Sequence, residues 1–212
     1  MKSRKILAVA AILLLALVAG MRSWRYVAAH RAAPRPQTDA ILLQKPLALP
    51  AFKLQMVGGV PFTAASLGGH WSLLYFGYTH CPDACPTTLA ELNKLMTRLQ
   101  QAPAAPPPQV YFVSVDPKRD SLEELGSYVR YFNPTFLAAT GGLDQVKALT
   151  GPLGADFSYG LADKQGNYGV THAAFVVLVD PGAREAALFM PPLDAARMAA
   201  DYRKILAYYG AS

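Results

Sequence analysis

Cysteine is nearly absent from this chain: there are two in 212 residues, Cys81 and Cys85, four positions apart. Histidine is scarce as well, with His30, His70, His80 and His172 the only four. Two thiols so placed leave a structural staple, a redox switch or part of a metal site. Structural zinc wants four ligands, usually with more sulfur, and no second Cys/His cluster exists to complete one. Proline, frequent elsewhere, is missing from 153 to 180. Acidic residues are missing from 1–35, which hold seven basic ones: Lys2, Arg4, Lys5, Arg22, Arg25, Arg31 and Arg35. Removing those seven leaves 13 basic against 14 acidic residues in 36–212, so the net charge of +6 belongs to the N-terminus. No basic patch remains for a polyanion, and no nucleic-acid partner is expected.

What the N-terminus does hold is an apolar run. Lys2, Arg4 and Lys5 precede Ile6 to Met21, sixteen residues without a charge. As a helix this run would rise about 24 Å, slightly short of a hydrocarbon core of about 30 Å. Trp24 and Tyr26 then suit a membrane interface, with Arg22 and Arg25 able to snorkel. The nearest small-residue cleavage site, Val27-Ala28-Ala29, lies behind two arginines, and a lipoprotein site would need Cys where Met21 stands. The layout predicts an uncleaved membrane anchor over 1–26 in preference to a cleaved signal. Residues 27–50, with Pro34, Pro36, Pro46 and Pro50, read as a linker. The remaining 51–212 form one domain.

Within that domain, strand and helix patterns alternate. Trp71 to Tyr78 is a near-continuous apolar run, as in a strand buried on both faces. Leu89, Leu92, Leu95, Met96 and Leu99 then make a helical stripe over Thr87–Gln101. A second strand follows at Val110–Val115. Asp120 and Glu123 read as a capping box opening a helix to about Tyr131. A strand at Phe136–Thr140, a helix at Leu143–Leu149 and strands near Ala155–Leu161, Ala174–Asp180 and Ala186–Met190 come next. The last helix opens at Asp194, buries Met198, Tyr202, Ile205 and Tyr209, and stops at Gly210. The pattern predicts an α/β fold, a mixed sheet covered on both faces, with the element order of a thioredoxin-like domain.

Cys81 and Cys85 sit where the first buried strand turns toward a helix N-terminus, a position that favours thiolate. Pro86 fits the first helical turn. A disulfide closing so short a loop would contribute only about 2 kcal/mol, little for a domain able to build a core. Bracketed by prolines on a loop, the pair is poorly placed for inert core packing. If the intervening turn is helical, residues four apart share a face and both sulfurs can converge on one ion. Of the histidines, His30 falls in the linker, His70 reads as solvated, and His80 leaves the backbone away from its neighbour Cys81. His172 precedes the apolar run Ala173 to Val179 at a strand end, and is the candidate third ligand. Two thiolates and an imidazole suit Cu(I) and can also hold Cu(II).

Gly77-Tyr78-Thr79-His80-Cys81-Pro82-Asp83-Ala84-Cys85-Pro86, Ser114-Val115-Asp116-Pro117-Lys118-Arg119-Asp120, and Thr171-His172-Ala173-Ala174 with Val179-Asp180-Pro181 closely resemble the Sco/SenC family, over about Phe52 to Tyr208. Ala84 stands where the family often has Val. The resemblance implies a membrane-tethered, thioredoxin-like copper protein whose ligands map onto Cys81, Cys85 and His172, with one copper ion per chain. It implies a role in assembling the dinuclear copper centre of cytochrome c oxidase, with that centre's subunit and an upstream copper donor as partners. Together with the N-terminal segment, which implies that the remaining chain is exported, this gives the expected location: a single-pass anchor in a bacterial inner membrane with the soluble domain in the periplasm.

Two further functions compete with copper delivery. A thiol–disulfide oxidoreductase could use Cys81 and Cys85 to reduce the oxidase subunit's cysteines. Thioredoxin-type reductases, however, space their cysteines by two residues and carry a cis-proline before the facing strand; here the spacing is three, and His172 occupies roughly that place. A sensor signalling through the anchor has no signalling module to support it. The peroxiredoxin pattern Pro-x-x-x-Thr-x-x-Cys fits neither cysteine. A carrier rather than an enzyme is therefore expected. Asp83 reads either as tuning the thiolates or docking a partner, or as a loop residue capping the helix; Asp116, ending a strand, is a candidate for supporting the site or facing substrate; Asp120 reads as a helix cap, and Lys118 and Arg119 read as solvated loop charges.

Overall fold

A computed structural model describes residues 16–24, 34–101 and 105–210. Residues 16–24 are helical (α1) and exposed. Most of the expected anchor, and His30, lie outside the described residues; among those described, no helix is long and apolar enough to cross a membrane.

The large unit, 37–206, is organised by one buried strand. β4 (Ser72–Gly77) is buried at all six positions. It pairs in parallel with β5 (Gln109–Ser114) and antiparallel with β9 (Val176–Asp180). Around it an eight-stranded sheet runs in the order β1-β10-β9-β4-β5-β6-β2-β3. Here β1 is Ile41–Ala48, β2 Leu54–Met56, β3 Pro61–Phe62, β6 Leu137–Thr140 and β10 Arg184–Phe189. The expected strands at Trp71–Tyr78 and Ala174–Asp180 are thus present but two residues shorter, and the one expected at Val110–Val115 is present one residue earlier. β7 (Phe157–Tyr159) and β8 (Val170–His172) form a separate two-stranded hairpin.

Alternation along the strands sends side chains into two layers. Leu74 and Phe76 join Val113, Val177, Val179 and the α4 residues Val146 and Leu149 in one cluster, with α4 at Leu143–Thr150. On the other face Tyr75 meets Phe112, and Phe112 meets Tyr128 of α3 (Leu122–Phe132). Trp71 meets Tyr202 of α5 (Ala195–Gly210). This is the mixed sheet flanked by helices that the alternation predicts, and it fits a thioredoxin-like fold.

Four differences from the sequence reading matter. Ile41–Ala48, expected as the end of a linker, is strand β1, paired antiparallel with β10; folded structure therefore begins before residue 51. Helix α2 spans Ala84–Gln101 and starts three residues before the expected Thr87. Thr87 N–H already donates to Asp83 O at 3.1 Å, and Pro86 in the first turn needs no N–H partner. Asp120 does not cap α3. Ser121 does, its hydroxyl accepting from Glu124 N while the Glu124 carboxylate accepts from Ser121 N at 3.0 Å. Finally Tyr209, expected buried, is only half-buried. At the other end of that helix, the Asp194 cap stands: its carboxylate accepts from Arg197 N at 2.8 Å.

Candidate metal centre

The site forms where β4 ends. Beyond Gly77 the chain turns so that Cys81 N–H donates to Tyr78 O at 3.2 Å, and Cys85 enters the first turn of α2. Cys85 N–H then donates to the Cys81 sulfur at 3.4 Å. Cys85 packs down into the core at 0% exposure, whereas Cys81 stays partly exposed. Gly77 is what admits the Cys85 side chain. A Cβ there would stand 2.6 Å from Cys85 Sγ and 2.8 Å from the Phe112 ring.

The expected third donor arrives from another part of the chain. His172, the last residue of β8, places Nε2 3.5 Å from Cys85 Sγ and 3.8 Å from Cys81 Sγ. Its Nδ1 faces Ala173 O at 3.0 Å. With Nδ1–H donating to that carbonyl, the Nε2 lone pair is directed at the sulfurs. All three donor atoms lie within 4.8 Å of one another, and both cysteines are free thiols. A donor set of two sulfurs and one borderline nitrogen fits a soft, low-coordinate ion such as Cu(I).

The electrostatics correct one expectation. A helix N-terminus favours thiolate, but burial wins at Cys85 and pushes its thiol up to about 12; the backbone hydrogen bond with Tyr78 offsets this only in part. Burial also lowers the His172 pKa, keeping the imidazole neutral and able to ligate.

Of the other sequence candidates, His80 is exposed and turned to Thr79 Oγ1 at 3.0 Å, away from the donor cluster. His70, expected solvated, is half-buried and contacts Gly68 O at 3.1 Å and Tyr111 OH at 3.2 Å. Asp83 is exposed and receives a hydrogen bond from Thr87 Oγ1 at 3.3 Å, a helix-start role. Lys118 is exposed as expected, but Arg119 is not a solvated loop charge: its side chain is 19% exposed and bound to Asp116. Asp116 is fully buried and Asp120 nearly so. Sequence reasoning missed Gly77, Thr79, Ser114, Tyr159 and Tyr168 as parts of the surroundings. Only Gly77 carried a usable signal, as a glycine closing a buried strand four residues before Cys81.

A profile of the SCO1/SenC family matches residues 42–207. A candidate copper-binding protein of Stutzerimonas stutzeri is 34% identical over 170 residues, covering 80% of this chain and 81% of that one. The mitochondrial SCO2 homologue of Danio rerio is 41% identical over 117 residues, 53% of this chain and 40% of that one. The match thus spans less than half of that mitochondrial relative. The crystal structure of yeast Sco1 with copper bound is similar at a TM-score of 0.69 and 31% identity, covering 74% of this chain and 87% of that one. With the profile spanning most of the chain, the motifs that carried the resemblance are joined by the fold, and this chain belongs to the SCO1/SenC family.

Proposed function

We propose that this chain binds one copper ion through Cys81, Cys85 and His172 and delivers it to the dinuclear copper site of cytochrome c oxidase during assembly. The observation that carries the reading is the placement of His172 Nε2 within 3.8 Å of both sulfurs, from a hairpin remote in sequence. A plain dithiol site has no use for an imidazole so directed. Yeast Sco1 with copper bound and the S. stutzeri copper-binding candidate support copper as the cargo. The family resemblance supports the oxidase's copper-site subunit as recipient and a separate protein as copper donor. On the same reading, 1–26 anchor the chain in the bacterial inner membrane with the domain in the periplasm.

A second reading uses the same cysteines. Both are free, their sulfurs lie within 4.8 Å, and Cys81 is the less buried of the two. The Cys81 thiolate could attack a disulfide of the oxidase subunit. Cys85 would then release the second thiol, leaving a Cys81–Cys85 disulfide and a reduced partner.

The deciding experiment loads the detergent-solubilised full chain with Cu(I) and mixes it with the oxidase's copper-site domain, comparing wild type, His172→Ala and Cys81→Ser. Delivery predicts one copper per chain, tight binding lost in His172→Ala, and metal appearing on the recipient. Undiminished Cu(I) affinity in His172→Ala would sink the three-donor site. Rapid disulfide reduction by metal-free His172→Ala would favour the second reading.

A further inference from the structure

The three donor atoms come from two pieces of chain: the loop after β4, and the β7–β8 hairpin, which stands outside the eight-stranded sheet. Both pieces are fastened to one short turn, 115–120, that contributes no donor.

On the cysteine side the fastening is Asp120, 2% exposed. Its carboxylate accepts from Thr79 N at 3.1 Å, from Thr79 Oγ1 at 2.6 Å and from Ser114 Oγ at 2.6 Å. Thr79 lies two residues before Cys81. A buried carboxylate with this many donors is rigidly held, because each bond replaces lost hydration and none can be surrendered cheaply.

On the histidine side three bonds hold the hairpin. Tyr159 OH donates to Val115 O at 2.6 Å, and Tyr168 OH donates to Asp116 Oδ1 at 2.8 Å. Val170 N–H, two residues before His172, donates to Tyr78 OH at 3.3 Å. Arg119 locks this group. Its Nε donates to the other oxygen of Asp116, and its guanidinium lies 3.7 Å over the Tyr168 ring and 5.6 Å from the Tyr78 ring centre. The buried Nη2 of Arg119 has no hydrogen-bond partner among the described residues, so the guanidinium depends on Asp116 and the ring faces.

The geometry points to the 115–120 turn as the part that sets the spacing between the sulfurs and the imidazole, with Asp120 positioning Cys81 and Arg119, through Tyr168, positioning His172. The inference rests on copper being the ion held by Cys81, Cys85 and His172, and it assigns the site a jig of two arms, anchored at different residues of the turn and meeting at Tyr78, whose carbonyl accepts from Cys81 N and whose hydroxyl accepts from Val170 N. None of the three short bonds of Asp120 goes to the hairpin. Donor groups must be held within about 0.5 Å of their working positions, and loss of a supporting residue behind a ligand typically costs about 10–100-fold in metal affinity.

The test uses the detergent-solubilised full chain as wild type, Asp120→Asn, Arg119→Met, Arg119→Lys, Tyr168→Phe and His172→Ala. Three quantities are read: amide exchange of the metal-free protein, the thiol–disulfide equilibrium of the cysteine pair against glutathione, and Cu(I) affinity by chelator competition. Asp120→Asn is expected to speed exchange at Thr79–Cys81 about tenfold or more, and to shift the thiol–disulfide equilibrium, leaving exchange at Val170–His172 unchanged. Arg119→Met and Tyr168→Phe should do the reverse: faster exchange at Val170–His172, an unchanged thiol–disulfide equilibrium, and Cu(I) affinity lowered about 10–100-fold toward the His172→Ala value. Arg119→Lys, which keeps the charge but loses the planar fork, should restore part of that affinity.

Uniform acceleration of exchange across the fold in either variant would mean general destabilisation and overturn the assignment. Equal effects of both arms on the thiol–disulfide equilibrium would overturn this division of roles. If wild type binds no copper the functional reading fails, while exchange and the thiol–disulfide equilibrium still decide whether the arms exist.

Discussion

Gly77 shows how a single missing atom makes room for the site. The Cys85 sulfur and the Phe112 ring occupy the space where a Cβ would project. Gly77→Ala is expected to destabilise the metal-free protein by about 1–3 kcal/mol through overpacking, and to weaken Cu(I) binding because the sulfur is what must move. A denaturant melt and a chelator competition on the same sample check both; unchanged copper affinity would show that the sulfur has slack. Cys85 itself sets a pH dependence. Its thiol stays protonated until about pH 12, so metal binding must expel that proton. Affinity should therefore rise about tenfold per pH unit from this group alone between about pH 7 and about pH 9. The stability of the metal-free chain has the opposite sign. A thiol raised above its unfolded value contributes stability that is complete below the ordinary thiol pKa and is lost as pH rises toward about 12. For His172, lowered by burial, the contribution is present above the ordinary imidazole pKa and is lost as pH falls through the lowered value.

At the level of elements, α3 shows what a sequence can and cannot reveal. Asp120 and Glu123 have the spacing of a capping box, and so do Ser121 and Glu124; spacing cannot choose between registers one residue apart. Tertiary structure chooses, because the Asp120 carboxylate is already committed to Thr79 and Ser114. Ser121→Ala is accordingly expected to cost about 1 kcal/mol of stability with Cu(I) affinity unchanged. Thermal melts and copper titration separate the two effects. The donor residues were legible because cysteine and histidine are so few, and β4 because its six buried positions left no polar alternation to confuse it. β2, β3 and β8 were not legible, being two or three residues long and therefore without a period to detect. β1 was hidden by the linker-like prolines around it, and only its partner β10 reveals it as sheet. The turn behind the site was unreadable for another reason. Buried Asp116 and Asp120 look, in sequence, like any charged loop.

For the molecule as a whole, the proposed anchor over 1–26 can be tested directly. The full chain is expected to stay with membranes through high salt and alkaline carbonate, and a chain starting at residue 34 to be released. Release of the full chain by carbonate would remove the anchor. The burial of the donors has one more implication. Cys85 is closed off by the core, so whatever exchanges copper must come in past Cys81 and His172, the two donors that remain partly exposed. A site with one doorway cannot serve supplier and customer together. If, as proposed, one protein loads the site and another empties it, the first must leave before the second can dock, and an excess of either should inhibit the other.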